Sequence, residues 1–475
     1  MKRVFFVMGV FLIAGLFAAG VQSAESKKVL KVGAAVADIS PVDLPAAVNG
    51  GFTTRFLKEV DDPLQARAIV IDNGQTRFAF VTIDTCVMPL EFHERIKKIV
   101  HEKTGFPIDH ICTSATHTHY APALIATLGC DRDDKYCEYF PAKAAEAVIK
   151  AIANLREAKV GFITAREPRH VFCRRFLMAP GTAITVPSAF TGVERDVAQM
   201  NPGVKNPNKI SRTGFPDQTI YILAFRALDD TPIALWANYS THYAGGPKNL
   251  SADYFGVFAQ RIKEMIGAPA EFVAMMSNGT SGDMNCSNFL DPERPKYDYK
   301  IVGEHVAQTV FDALKNIKYE NWVPMATQER KLTLDIRMPT ADQVKEATAY
   351  MAKLKAEGKK PRTFTDVYAL ETTIIAKEAP TRDLKLQAIR IGNFGICTIP
   401  GEVFSYTGHS LRAWTPFETN CVISLANGYV GYIPTPDQFE LGGYTTWRAR
   451  SSLMERNAEP KIRKVLNEML KEISR

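Results

Sequence analysis

Hydrophobic and polar positions alternate between two periods along the first third of the chain. Arg77 to Asp84 (RFAFVTID) is β-rich, Leu90 to Lys103 has helical periodicity, and Asp109 to Ser114 (DHICTS) returns as a strand. An alanine-rich helix is expected over Tyr139 to Leu155, followed by a strand-like run from Lys159 to Thr164. This strand–helix rhythm predicts an α/β architecture. From Thr219 the pattern changes. TIYILAFRAL, the turn signal Asp229-Asp230-Thr231-Pro232 and IALWANYS read as an antiparallel hairpin, so the sheet is expected to be mixed. Further helices are expected at Asp253 to Ile266, Ile301 to Leu314, Ala341 to Ala356 and Glu459 to Ile473. There is no internal repeat, and Lys355 to Arg362 (KAEGKKPR) reads as a polar loop within a domain, not a linker. The expectation is one large α/β domain over residues 28–475, with mixed β-sheets flanked by helices.

The first residues change the picture of where this domain works. Lys2 and Arg3 precede an apolar run from Val4 to Ala19, and small residues lead out through Ser23-Ala24. That order of charged, apolar and small segments is a secretory signal over residues 1–24, with an uncleaved anchor as the alternative. The run is slightly short for a bilayer span, and no later stretch is long and apolar enough to make one. The protein is expected to be secreted or periplasmic.

Composition adds exclusions. Of 475 residues, 46% are hydrophobic and 23% charged, the balance of a globular protein with a sizeable core. The net charge of +7 is spread along the chain without a dense basic run, so no nucleic-acid partner is expected. The eight cysteines are too few to dictate the fold. Cys130 and Cys137 bracket the polar loop CDRDDKYC and are the expected disulfide in an oxidising compartment, whereas Cys86 and Cys112 read as core.

Chemistry-bearing residues gather where strand-like runs end. HICTS leads into His117 and His119, IALWANYST into His242, EFVAMM into Ser277 to Asp283 (SNGTSGD), and FGICTIP into Gly401-Glu402. Ligand sites of open α/β sheets lie outside strand ends, so the four loops are expected to share one rim. An isolated H-x-H is a weak signal, compatible with a hydrogen-bonded histidine pair. Zinc needs about four N, O or S donors, which the loops supply only jointly. SNGTSGD lacks the lysine of a P-loop and reads as a tight turn presenting backbone N–H groups.

Taken in order, TSATHTHYAPA, NYSTHY with SADYFG, SNGTSGDMN, IPGEVF and NGYVGYIPTPDQFELGGY resemble the landmarks of the neutral/alkaline non-lysosomal ceramidases. The opening GAAVADISP and DDPLQARAIVIDNG resemble that family's first strands, so the resemblance spans Val32 to Tyr444. It implies that family's catalytic domain and a zinc ion. The implied ligands are His117, His242, Glu402 and Tyr432, with Tyr429 as the local competitor for the tyrosine position. His119 would face the substrate, Tyr444 would contact the scissile carbonyl, and Arg174 or Arg175 would line the pocket. Such a site suits a small-molecule or lipid substrate. Zinc polarises a carbonyl and lowers the pKa of bound water to about 7. His119 is then suited to move the proton, and Tyr444 and Arg174 to stabilise the oxyanion.

Two departures bear on the substrate. The family has a serine in G-D-x-S-P-N, where this chain has Asn285 within Gly282-Asp283-Met284-Asn285-Cys286-Ser287. An amide does no hydroxyl nucleophilic chemistry, which favours metal-activated water over Ser287 or Cys286 as substitutes and leaves Asn285 the expected role of a catalytic hydrogen-bond donor to the oxyanion. The family also continues into an immunoglobulin-like C-terminal domain, which is not expected here. The leading expectation is a zinc hydrolase cutting an N-acyl amide bond as in ceramide. A zinc esterase or lactonase acting on a carbohydrate or other small ester is the alternative, and a non-catalytic binding protein the third. Trp236, Trp414 and Trp447 lie near site segments and mildly favour a ring-shaped ligand, although tryptophans near a sheet are more often core. Asn238, Asn249 and Asn278 begin N-x-[ST] sequons; two adjoin the site, and all are read as unmodified.

Overall fold

A nine-stranded mixed sheet forms the centre of the computed structural model, which describes residues 1, 28–291, 293 and 298–475. The expected signal segment falls outside the described residues apart from Met1. No helix among those described is long and apolar enough to cross a membrane.

The path across the large sheet starts at Val273–Asn278 and passes through Pro232–Tyr239, Thr219–Ala227, Arg156–Arg166, Lys31–Asp38, Gln65–Asp72 and Arg77–Ile83 to Ile111–Ala115, with Tyr319–Glu320 paired beside Arg156–Arg166. The two outermost pairings are parallel and the inner ones antiparallel. The expected hairpin at Thr219 is present. A sheet of this width accumulates twist, and its two ends come together: Val273–Asn278 contacts Ile111–Ala115. Thr82 Oγ1 donates to Met275 Sδ at 3.3 Å, and Trp236 stacks on Phe80 with centroids 5.3 Å apart. That closure positions the site.

A second sheet runs Met325–Asp335, Thr381–Ile391, Phe394–Thr398, Thr419–Ile423. Its apolar face shares one core with the large sheet, Ile389, Phe394 and Ile423 packing with Phe80, Tyr221 and Trp236. Helices cover the outer faces. Leu90–Thr104 and Asp134–Ala153 cover one part of the large sheet, Asp253–Met265 and Tyr299–Leu314 another, and Ala458–Ile473 covers the second sheet. The α/β expectation with mixed sheets flanked by helices holds.

Two local expectations differ. The second helix begins at Asp134, ahead of the expected Tyr139, because Asp133 caps it by accepting from Tyr136 N at 3.1 Å. That early start corrects the disulfide expectation. Cys137 lies in the helix's first turns, buried in the helix–sheet core, while Cys130 Sγ donates to Gly51 O at 3.3 Å; both thiols are free.

Candidate metal centre and substrate cavity

Closure of the sheet sets two strand ends side by side, and a histidine follows each. His117 lies two residues beyond Ile111–Ala115, and its φ of 77° is in a region that L-residues occupy only at a cost. His242 lies beyond Pro232–Tyr239. The Asn278 side chain spans the junction: its Nδ2 donates to Thr116 O at 3.2 Å and to Thr241 O at 3.4 Å. One amide therefore holds the residue before each histidine. The sequence marked Asn278 only as part of SNGTSGD and as a sequon, not as a support for the histidines.

The rest of that loop binds the next element. Gly282 N donates to Val403 O at 2.8 Å, and the Asp283 carboxylate accepts from Ser405 N at 2.8 Å. These bonds seat the short strand Glu402–Val403, which pairs in parallel with Tyr432–Ile433 so that Glu402 is opposite Tyr432. The expected tight turn is a bracket that carries Glu402 to the histidines.

His117 Nε2 lies 3.0 Å from His242 Nε2 and 3.4 Å from Glu402 Oε2. The His117 Nδ1–H donates to Cys86 O at 2.7 Å, which leaves Nε2 as the atom turned toward His242 and Glu402. Glu402 Oε1 accepts from the Tyr429 hydroxyl at 3.0 Å, while Glu402 Oε2 is buried and receives no hydrogen bond among the described residues. Electron-rich atoms that face one another in a buried site, one of them without a donor, call for a proton or a cation between them. Two imidazole nitrogens and a carboxylate are a donor set zinc takes, so the residues fit a metal ion. The three ligand atoms all lie within 4.8 Å of one another. Tyr429 is thus hydrogen-bonded to the carboxylate, and Tyr432 stands on the neighbouring strand with its hydroxyl 3.2 Å from Arg174 Nη2.

Charge in the cluster follows its neighbours. Burial works against a charged His117, but Cys86 and Glu402 outweigh it and raise it to about 10. Burial, with Arg174 and His117, holds His242 far below the usual histidine value. Burial would raise Glu402, yet His117 and Arg174 keep it below its ordinary value and ionised.

His119 is held differently. Its Nδ1 is 3.0 Å from Gly50 O, its ring stacks on Tyr243 at 3.7 Å, and its Nε2 is 3.5 Å from His117 Nε2. Gly50 has φ = 96°, and a Cβ there would come within 2.3 Å of His119 Nδ1, so only glycine permits this placement. Burial, then His117 and Arg174, push His119 well below the usual histidine range and keep it neutral.

The cluster opens into a cavity of about 340 Å³ lined by His119, His242, Arg174, Tyr432, Tyr444 and Trp447, among others. Larger clefts of about 1030, 880 and 410 Å³ are lined by none of these residues. Arg174 lines the cavity and donates to Gly282 O, whereas Arg175 is buried behind it and bonds Gln438, Thr445 and Gly442, bracing the loop that carries Tyr444. The alternative between the two arginines resolves in favour of Arg174 as the cavity residue.

Asn285 lies elsewhere. It pairs with Phe172 in a two-residue ladder, its Oδ1 accepts from Ser287 N at 2.9 Å, and it is not among the residues lining the cavity. Of the three tryptophans, Trp236 is core, Trp414 is 70% exposed, and Trp447 alone lines the cavity. Asn238 and Asn278 are buried with their amides bonded inside the protein, which leaves no room for a glycan.

No family model and no curated protein matches the chain. Solved structures share its fold, two ceramidases among them. One is a neutral ceramidase from Pseudomonas aeruginosa, at TM-score 0.70 and 16% identity, covering 93% of this chain and 74% of that one. The other is a ceramidase complexed with C2, at TM-score 0.69 and 15% identity, covering 94% and 76%. The fold is that of the neutral ceramidase structures.

Proposed function

We propose that the protein is an exported zinc-dependent hydrolase that cuts an N-acyl amide bond with water as the nucleophile. The observation that carries this reading is the meeting of His117 Nε2, His242 Nε2 and the undonated Glu402 Oε2 beside a cavity. Likeness of fold to ceramidases adds the amide class. His117, His242, Glu402 and Tyr432 would hold the metal. Zinc, when bound, supplies a Lewis acid that polarises the carbonyl and makes water a nucleophile near neutral pH.

The chain's own groups do the rest. With Nδ1 committed to Gly50 O, the neutral His119 offers its Nε2 lone pair to a proton of the attacking water. It then returns that proton to the leaving nitrogen as the carbon–nitrogen bond breaks, yielding a carboxylic acid and an amine. Burial raises the Tyr444 phenol far above its ordinary value, so it stays protonated and can donate. Tyr444 and Arg174 donate to the carbonyl oxygen as negative charge develops there. Asn285, bonded to its own turn and paired with Phe172 two residues before Arg174, takes no part in the chemistry.

An ester or lactone would react by the same steps with less need for a proton at the leaving group. A panel of N-acyl amides, aryl esters and sugar lactones, run on zinc-loaded and chelator-stripped protein, tests the reading. Metal-dependent release of acid with amides turned over is the expected result. Turnover surviving complete metal removal, or none with any member, contradicts it.

A further inference from the structure

The walls of the cavity select the substrate more narrowly than the metal cluster does. From Tyr432 a series of rings leads away from the cluster. Tyr444 meets Tyr432 edge-on with centroids 5.6 Å apart, Phe52 meets Tyr444 at 5.8 Å, and Phe364 meets Phe52 at 4.7 Å. Trp447 closes the set, 5.9 Å from Phe364 and 6.4 Å from Tyr444. All five rings line the same cavity. Edge-to-face aromatic walls offer faces and edges to a flat or chair-shaped ring inserted among them.

These walls are fixed in advance. Trp447 Nε1 donates to Asp196 Oδ1 at 2.8 Å, and the tryptophan is 2% exposed. Phe364 is the first residue of the helix Phe364–Ile375, whose start is locked by a capping box between Thr363 and Asp366. Tyr350, from the preceding helix Ala341–Ala356, donates to the same Asp366 carboxylate at 2.7 Å. A wall braced in this way does not part easily for a long chain. At about 340 Å³ the cavity is also near the lower limit for sites that enclose a small ligand.

We infer that the protein acts on compact substrates bearing a ring beside the scissile bond, with Phe52, Phe364 and Trp447 as the residues that set this specificity, and not on long-chain acyl amides. This deepens the hydrolase reading and depends on it for the reaction, but the binding preference belongs to the cavity alone.

The test uses two measurements. In the first, zinc-loaded protein is given N-acyl ethanolamines with acetyl, hexanoyl, dodecanoyl, hexadecanoyl, benzoyl and cyclohexanecarbonyl groups, together with N-benzylacetamide. A ring-bearing member, on either side of the amide, should exceed hexanoyl in kcat/KM by about 2- to 12-fold, the aromatic-pair contribution expressed as a rate. The straight-chain series should stop rising at hexanoyl. In the second, benzamide and dodecanamide are titrated calorimetrically into metal-free wild-type, Phe364→Ala and Phe52→Leu proteins. Benzamide should bind the wild type more tightly than dodecanamide, and either variant should narrow the difference.

Rates or affinities that keep climbing by about fourfold per methylene to the longest chain, as continued burial of CH₂ groups would give, overturn the cavity inference and leave the hydrolase standing. Equal handling of rings and chains overturns it too. Ring-selective binding with no turnover by zinc-loaded protein keeps the inference and removes the hydrolase reading. Absence of both binding and turnover overturns the two together.

Discussion

His117 and His119 are separated by one threonine and 3.5 Å between their Nε2 atoms, yet their other nitrogens are committed to different carbonyls. The Cys86 carbonyl turns His117 Nε2 toward His242 and Glu402, whereas the Gly50 carbonyl and the Tyr243 ring hold His119 at the cavity wall. Removing a general base costs about 10²–10⁴ in rate without touching metal affinity. The His119→Ala variant is therefore expected to bind zinc as the wild type does and to lose turnover on that scale, read by elemental analysis alongside kcat. Loss of zinc with the rate would mean that His119 is a ligand. At Asn285 the expectation is milder. Its side chain caps a turn and is not on the cavity wall, so Asn285→Ala should escape the about 10²–10³-fold loss that follows removal of an oxyanion donor. No acyl adduct should appear on Ser287 or Cys286 by mass spectrometry during turnover. A trapped adduct on either residue would replace water as the nucleophile.

Elements explain which parts of the site were legible in the sequence. Each proposed ligand sits in a short motif at the end of a strand, so His117, His242 and Glu402 stood out locally, and strand-end logic put them on one rim. The curl that joins Val273–Asn278 to Ile111–Ala115 was not legible, because pairing and closure between strands remote in sequence leave no local period to read. The supporting role of Asn278 was missed for the same reason: its two bonds exist only after closure. The helix Phe364–Ile375 was missed because it is apolar on most faces and buried, although Thr363 and Asp366 carried its capping signal. Two predictions belong here. Asn278→Ala should lower zinc affinity by about 10–100-fold, as the loss of groups supporting metal ligands does, while the protein stays folded; competition with a chelator of known affinity measures it, and an unchanged affinity removes the clamp. Thr363→Ala should destabilise the cavity-wall helix by about 1 kcal/mol, read as a lower denaturation midpoint and earlier proteolysis near Phe364.

Across the whole molecule, the cluster joins segments that are distant along the chain, one beyond the strand at one end of the curled sheet, one beyond the strand next to its other end, and a third from a strand end of the second sheet. Zinc bound there would tie these segments together and so link metal binding to fold stability. A ligand at 100 times its dissociation constant adds about 2.7 kcal/mol to the native state. Chelation should lower Tm in wild-type protein and leave the Tm of His117→Ala almost unmoved. The central claim is that His117, His242 and Glu402 form one zinc site, and zinc stoichiometry by elemental analysis of purified, folded protein tests it most directly. The account predicts one zinc per wild-type chain, and a large loss of zinc in both His117→Ala and His242→Ala with circular dichroism unchanged. Full zinc occupancy in either folded variant, or no zinc in wild-type protein supplied with it, would contradict the account.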